Sequence, residues 1–152
     1  MEETVTPEML KKMDIFEFVG KEELKRIAKL ARIEEFEPGD YIFKEGDDAK
    51  KIYVVLEGRV SVEMPVGPEK TIQVYTMTKW RFFGYPALLR TKKFTTNARC
   101  IDRVKVVSIA AEDLENLFKE NCTCGYLVMK RVAELIAQKL RDTRMQLISC
   151  IS

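Results

Sequence analysis

The chain has 152 residues, enough for one domain with a substantial buried core. Its 26 basic and 24 acidic residues leave a net charge of only +2, so composition gives no argument for a nucleic-acid or membrane surface. The absence of histidine excludes histidine-based catalytic triads and histidine metal sites. No apolar stretch reaches membrane-spanning length and the N-terminus lacks a signal-peptide pattern, so we predict a cytoplasmic protein that does not enter the membrane.

Thr6 and Pro7 open the first predicted helix, with Thr6 as the N-cap and Pro7 at the first helical position. Gly20 ends this segment. Residues 21–33 then show the apolar spacing of a second, amphipathic helix. We therefore expect residues 1–35 to form N-terminal helices.

From residue 36 the apolar period shortens toward two, which is typical of β-strands. Glycines with turn-forming neighbours separate the first of these strands: Gly39, Gly46 and Gly58. The segments between turns are rich in β-branched and aromatic residues: Tyr41–Phe43, Ile52–Leu56, Val60–Met64, Ile72–Tyr75 and Val104–Ile109. Short strands at even spacing predict a jelly-roll β-roll, or double-stranded β-helix, over residues 36–110.

Helical patterns return in residues 111–152, first at Ala111–Phe118 and then in a long segment from Tyr126 to about Ile148 that lacks Gly and Pro. The order of helices, β-roll and helices predicts an α+β, mainly β, single domain over residues 1–152.

An apolar seam with the alternating three- and four-residue spacing of a coiled coil runs along the last helix. Its members are Tyr126, Met129, Ala133, Ile136, Leu140, Thr143, Leu147 and Cys150. Val128, Val132 and Leu135 form a second stripe. A helix with two stripes can pack on its own domain and on a partner at once; the alternative is one wide stripe that faces the core.

The four cysteines contain no Cys-x-x-Cys pair, so zinc-ribbon spacing is absent and we predict no metal site. We expect them to be reduced core or surface residues: Cys100, Cys122, Cys124 and Cys150. Cys122 and Cys124 stand as a weaker redox or metal alternative.

The glycine and strand pattern of residues 36–62 resembles the start of the β-roll in cyclic-nucleotide-binding domains of the catabolite-activator type. The resemblance covers nearly the whole chain and includes the last helix. In that family this helix makes a parallel two-fold dimer, so a homodimer is implied. Cys150 would then face its copy, and we hypothesise that the two can form an intersubunit disulfide on oxidation.

In the same family a phosphate-binding cassette reads roughly Gly-Glu-x-Phe-Gly-Glu-hydrophobic-Ala-Leu, followed by Arg and two small residues. The resemblance implies that backbone N–H groups and the Arg bind the cyclic phosphate, while the Glu binds the ribose. The matching segment here is residues 80–89, in which four residues agree with the family: Phe83, Gly84, Ala87 and Leu88.

The two main ligand positions differ from that pattern. Tyr85 replaces the ribose-binding Glu, and Phe94 or Thr95 falls at the Arg, depending on a one-residue gap. Pro86 also lacks an N–H that an anion would use. We therefore expect weak or absent binding of cyclic AMP. The predicted pocket comprises Phe83, Gly84, Tyr85, Pro86, Ala87, Leu88, Phe94, Thr95 and Thr96.

Four basic residues near the cassette are candidate anion contacts: Arg90, Lys92, Lys93 and Arg99. One of them could replace the missing Arg with a different ligand; the alternative is a solvated basic loop. The aromatic residues of the segment likewise allow two interpretations. They form a pocket for a planar or apolar ligand, or they fill the roll and leave no pocket.

These features predict a dimeric regulatory or ligand-sensing module and no enzyme, with a small molecule or nucleotide as the ligand and no resident cofactor. The alternatives are a degenerate domain that acts only in protein interaction or dimerisation, and a truncated effector domain of a transcription regulator. Transcription factors of the resembled family continue into a helix-turn-helix domain. The chain stops at Ser152, so we expect no DNA binding by this chain alone.

Overall fold

The computed structural model describes residues 3–151. Its helices are α1 (Pro7–Lys11), α2 (Lys21–Leu30), α3 (Ala111–Glu120) and α4 (Cys122–Ile151). Its strands are β1 (Ala31–Phe36), β2 (Tyr41–Phe43), β3 (Lys51–Glu57), β4 (Val60–Pro65), β5 (Thr71–Met77), β6 (Phe82–Phe83), β7 (Asn97–Cys100) and β8 (Val104–Ala110). Short 3₁₀ helices lie at Asp14–Phe16 and Tyr85–Leu88.

The strands form two antiparallel four-stranded sheets, in the orders β1-β8-β3-β6 and β2-β7-β4-β5. Both sheets contribute to one hydrophobic core, in which Ile52, Val60 and Ile109 have at most 1% of their surface exposed. Helices precede and follow the sheets in the chain. The predicted mainly β jelly roll, flanked by N-terminal helices and a long C-terminal helix, is confirmed. Within residues 3–151 no helix combines the length and apolarity needed to cross a membrane.

The first strand corrects the predicted extent of the N-terminal helices. Helix α2 ends at Leu30 rather than Ile33, because Ala31 has an extended backbone. Residues 31–36 instead pair with β8, from Ala31 opposite Ile109 to Phe36 opposite Val104. This pairing satisfies backbone groups along the whole segment and overrides its local helical pattern. The β-roll therefore begins within the range 1–35 that the sequence assigned to helices.

Helix α4 begins at Cys122, before the predicted Tyr126, and includes Gly125. The Asn121 side chain accepts a hydrogen bond from the Cys124 backbone N–H at 3.0 Å and so caps the first turn. A Cβ at Gly125 would lie only 2.8 Å from the Phe118 Cβ of α3. The glycine therefore allows the two helices to approach closely, which explains its presence inside a helix.

Gly58 lies in the turn between β3 and β4 with φ at +84°, a conformation that strains other residues. A Cβ there would come within 2.4 Å of the Arg103 carbonyl oxygen. We expect Gly58→Ala to lower the free energy of unfolding by about 2–4 kcal/mol, since it adds a steric clash to the backbone strain. Urea denaturation measures the change.

Gly39→Ala is the matched control for this prediction. Gly39 has a similar φ of +87°, but a Cβ there would meet nothing within 4 Å. The control should therefore lose only the backbone term of about 1–2 kcal/mol. Equal losses at Gly39 and Gly58 would show that the close approach to Arg103 has no energetic consequence.

Candidate functional site

The backbone of the predicted cassette is formed between β6 and the loop that precedes β7. Phe83 of β6 pairs with Tyr53 of β3, and Gly84 follows with φ at +89°. A Cβ at Gly84 would lie 3.3 Å from the Tyr53 ring, so a side chain there would press on the neighbouring strand. The 3₁₀ helix Tyr85–Leu88 then begins, with Pro86 in its first turn. The cassette segment therefore contains a short helix directly after Gly84.

Phe94 occupies the interior of the roll beside this backbone. Its ring stacks on Phe43 with centroids 3.6 Å apart and planes inclined by 8°, and only 4% of the residue is exposed. A Cβ at Gly84 would be 3.6 Å from the Phe94 ring, so the ring lies against the cassette backbone. Hydrogen bonds from Phe94 N–H to Asp47 O (3.0 Å) and from Gly46 N–H to Phe94 O (2.8 Å) hold the loop.

The remaining cavity, which we call the cassette cavity, has a volume of about 70 Å³. Small-molecule sites usually measure roughly 300–1,000 Å³, so a nucleotide does not fit this one. Its lining is Phe43, Val62, Tyr75, Met77, Phe83, Gly84, Tyr85, Pro86, Phe94, Thr95, Thr96 and Lys139. Of the two interpretations of the aromatic residues, the structure agrees with the one in which they fill the roll and leave no pocket for a ligand.

Seven of the nine predicted pocket residues line this cavity, whereas Ala87 and Leu88 do not. Ala87 is completely buried and Leu88 packs against the hydrophobic core. The sequence reasoning missed the four strand residues of the lining: Phe43, Val62, Tyr75 and Met77. The sequence did indicate that Tyr75 and Met77 of β5 lie on the same face, because side chains two residues apart on a strand point the same way.

Lys139 is the lining residue contributed by α4, and no local pattern identifies it. Its ammonium lies 4.6 Å from the centroid of the Tyr75 ring and 3.5 Å from the Met77 sulfur. Burial lowers the pKa of Lys139, and the Asp14 carboxylate acts in the opposite direction. The Tyr75 hydroxyl lies 2.6 Å from Thr143 Oγ1 and donates to the Lys139 carbonyl oxygen at 3.2 Å. These contacts fasten the middle of α4 to β5.

None of the four candidate anion contacts lines the cassette cavity. Lys92 pairs with Glu115 at 2.6 Å and donates to the Ala87 carbonyl oxygen at 2.9 Å. Lys93 pairs with Asp48. Arg90 is exposed outside the cavity. Carboxylates of the chain itself therefore engage two of these loop cations.

Arg99 points to the other face of its sheet and pairs with a buried carboxylate. Its Nη2 lies 2.8 Å from Glu63 Oε2, and the Ser61 hydroxyl donates to the same oxygen at 3.0 Å. Only 5% of Glu63 is exposed. The hydrogen bond from Arg99 lowers the pKa of Glu63, so the carboxylate stays ionised. Arg99 is thus a structural partner of β4 and not a ligand group of the cavity.

The two apolar stripes of α4 have different environments. Val128 and Val132 are buried against the rest of the domain, as one stripe of the prediction requires. The seam is largely uncovered, with Tyr126, Leu140 and Leu147 each at least half exposed. Its other members are exposed (Ala133 and Cys150) or partly buried (Met129, Ile136 and Thr143). The domain therefore leaves the seam open along most of the helix.

We expect Phe94→Ala to lower the free energy of unfolding by about 3–5 kcal/mol, because the ring is buried and its removal leaves a cavity. Phe18→Ala is the control, since 55% of Phe18 is exposed, and its loss should stay below about 1 kcal/mol. Thermal and urea unfolding of both variants measure the difference. A Phe94 variant as stable as the control would mean that the ring does not fill the roll.

Residues 33–121, more than half of the chain, match the family described as "Cyclic nucleotide-binding domain". A crystal structure from Geobacter metallireducens GS-15, described as a "Putative Cyclic nucleotide-binding protein", is similar to this chain, with a TM-score of 0.79 at 28% identity. The alignment covers 90% of this chain and 98% of that one. The catabolite activator protein of Thermus thermophilus has the same fold, with a TM-score of 0.75 at 20% identity over 90% of this chain and 62% of that protein.

Among curated relatives, the human potassium/sodium hyperpolarization-activated cyclic nucleotide-gated channel 4 is 30% identical over 106 residues. The match covers 70% of this chain and 8% of that channel, so the similarity concerns one domain of a much longer protein. Together with the jelly roll, the cassette backbone and the docked final helix, the match over residues 33–121 shows that this chain belongs to the cyclic nucleotide-binding domain family.

Proposed function

We propose that this chain is a dimeric regulatory module that senses a small molecule without binding cyclic AMP in the usual mode, and that it is not an enzyme. The observation that carries the proposal is the buried, stacked ring of Phe94, since the resemblance places the phosphate-binding Arg at Phe94 or Thr95 and neither side chain can pair with a phosphate. Tyr85 supports it, since it stands at the ribose-binding position. The regulatory scaffold is thus retained while its usual ligand contacts are lost.

A cyclic nucleotide bound to the cassette would lack the buried, charged contact between its phosphate and an Arg. Truncating one partner of a buried Arg–phosphate pair costs about 2–5 kcal/mol, which corresponds to roughly 30- to 5,000-fold weaker binding. Phe94 would also have to leave its stack on Phe43 before a nucleotide could enter a space of about 70 Å³. The missing Arg–phosphate contact and the need to displace Phe94 both weaken the binding of a cyclic nucleotide.

We expect isothermal titration calorimetry to detect no micromolar binding of cyclic AMP to the purified protein, for the two reasons above. Adenosine 5′-monophosphate serves as a non-cyclic comparison under the same conditions. Micromolar cyclic AMP binding would refute the proposal, because it would require the cassette to work without the Arg and Glu side chains.

The filled cavity also favours a second candidate, a domain that binds no small molecule and acts through protein interaction or dimerisation. A thermal-shift screen of nucleotides and metabolites separates the two candidates, because a ligand of the native state raises its stability. At 100 times the dissociation constant the gain is about 2.7 kcal/mol, or several degrees for a domain of this size. A flat response across the screen favours the second candidate.

The dimer is proposed through the open seam of α4. Leu140 and Leu147 are exposed apolar residues at coiled-coil spacing on a helix whose other stripe is already buried. Covering such residues in a second copy removes apolar surface from water. The cytoplasmic location belongs to the same proposal and is supported by four cysteines that are all free thiols.

We expect Leu140→Glu to convert the dimer to a monomer in size-exclusion chromatography with light scattering, since it places a charge in the seam. Met145→Glu is the matched control: Met145 is 59% exposed but lies on another face of α4. Mild oxidation provides a second readout, with a cross-linked band that Cys150→Ser removes and Cys122→Ser retains. A dimer that survives Leu140→Glu, or a band independent of Cys150, contradicts the parallel arrangement.

A further inference from the structure

Two concave surfaces meet at Arg81, outside the cassette cavity. The larger has a volume of about 600 Å³ and lies between β5 and α4, with Tyr75, Gln138 and Gln146 among its lining. The smaller measures about 360 Å³ and lies beside α1, with Trp80 in its wall. Asp14 and Arg81 belong to both. The larger surface alone has the size of an ordinary small-molecule site.

Five cations line these two surfaces: Lys11, Lys12, Lys79, Arg81 and Lys139. Lys11 donates to the carbonyl oxygens of Glu17 and Val19, at 2.9 and 3.4 Å. None of the five cations forms an ion pair with a carboxylate among residues 3–151. Lys92 and Lys93, by contrast, are both paired. Burial and the charge of Arg81 lower the pKa of Lys139, while the carboxylates of Asp14 and Asp142 act in the opposite direction. Arg81 and Lys139 repel each other, and a bound anion near both would add to the attraction that these carboxylates supply.

Asp14, the acidic residue that lines both surfaces, does not fully balance their positive charge. Asp14 Oδ1 accepts the Phe82 backbone N–H at 3.1 Å, and burial raises the pKa of this carboxyl despite that bond and the nearby charge of Arg81. Asp142, on α4, is the other acidic residue of the larger surface. Glu17, the other acidic residue of the smaller surface, pairs with Arg131 at 2.9 Å. The junction therefore keeps guanidinium and ammonium groups without direct carboxylate partners.

Trp80 adds a conformational observation at the same place. Its φ of +72° is in the left-handed region, which a bulky side chain rarely adopts and which costs about 1–3 kcal/mol. The backbone is held there by bonds from Trp80 N–H to Val55 O (2.8 Å) and from Asp14 N–H to Trp80 O (3.2 Å). The ring lies 5.5 Å from the Lys12 ammonium and 5.1 Å from that of Lys79, so it positions both cations beside Arg81.

We propose that this junction, which we call the Arg81 groove (Lys12, Lys79, Arg81 and Lys139), binds a phosphate group, either as the free ion or on a small phosphomonoester. A guanidinium offers a phosphate two parallel hydrogen bonds, and the adjacent ammonium groups add charge. Gln138 and Gln146 supply neutral donors and acceptors for the rest of an ester. The groove shares Lys139 with the cassette cavity, whereas Lys12, Lys79 and Arg81 do not line that cavity.

The groove stays accessible in the proposed dimer. On α4 it is lined by residues 135, 138, 139, 142 and 146, whereas the exposed seam includes Leu140 and Leu147. At 100° per residue these two faces are roughly 120° apart around the helix. A phosphate held by Arg81 and Lys139 would thus join α4 to the roll without displacing a partner helix.

The test is calorimetric titration of the full chain with inorganic phosphate and, separately, with adenosine 5′-monophosphate and glycerol 3-phosphate. We expect binding of at least one of them, weakened about tenfold by Arg81→Gln because a charge-assisted bond is lost. Lys70→Gln removes the same charge from an exposed loop and should leave the affinity unchanged. Binding of inorganic phosphate as tight as that of the esters would identify the free ion as the ligand.

Three results would overturn the assignment. One is the absence of binding by every probe at millimolar concentration. Another is equal weakening by Arg81→Gln and Lys70→Gln, which would indicate unspecific attraction. The third is an affinity that falls in Phe94→Leu, a residue that lines the cassette cavity but not the groove, and stays unchanged in Arg81→Gln. None of these outcomes bears on cyclic AMP binding or on the dimer, so those two parts of the proposed function are decided by their own experiments.

Discussion

The stacked rings of Phe43 and Phe94 determine what the interior of this roll can hold. Phe43 belongs to β2, and Phe94 to the loop before β7. The backbone of that loop is bonded to the turn after β2 at Gly46 and Asp47. The aromatic packing and these hydrogen bonds reinforce each other, because moving the ring out would expose apolar surface and break the backbone bonds of Phe94. The cassette backbone is still formed around the stacked rings of Phe43 and Phe94.

Helix α4 contributes residues to the contact with the roll, to the cassette cavity and to the Arg81 groove. Its buried stripe at Val128 and Val132 docks on the domain, and the Tyr75 hydroxyl bonds it to β5 near Thr143. A second face carries the open seam. A third face, with Lys139, reaches both the cassette cavity and the Arg81 groove. One helix therefore presents an intramolecular contact, a proposed dimer contact and a proposed ligand contact on different sides.

Local features of the fold were predictable because they depend on neighbouring residues. The turn glycines predicted from the sequence, such as Gly39 and Gly58, do adopt positive φ angles, and Thr6 does cap α1 by accepting the Met9 N–H at 3.2 Å. Strand β1 was not predictable, because its polar residues read as a helix surface and its pairing partner β8 lies far along the chain. Gly125 likewise depends on contact with a separate helix.

The sequence by itself determined the jelly-roll class and the replacement of the ligand side chains by Tyr85 and by Phe94 or Thr95, since both follow from residue identity and local spacing. Only the tertiary structure decided that the aromatic residues fill the cavity, that Lys92 is paired with Glu115, and that Lys139 and Arg81 share a groove. Those outcomes depend on how α3, α4 and the loop dock against the sheets. The residues in these contacts are far apart in the sequence, so the packing of the whole domain sets the distances between them.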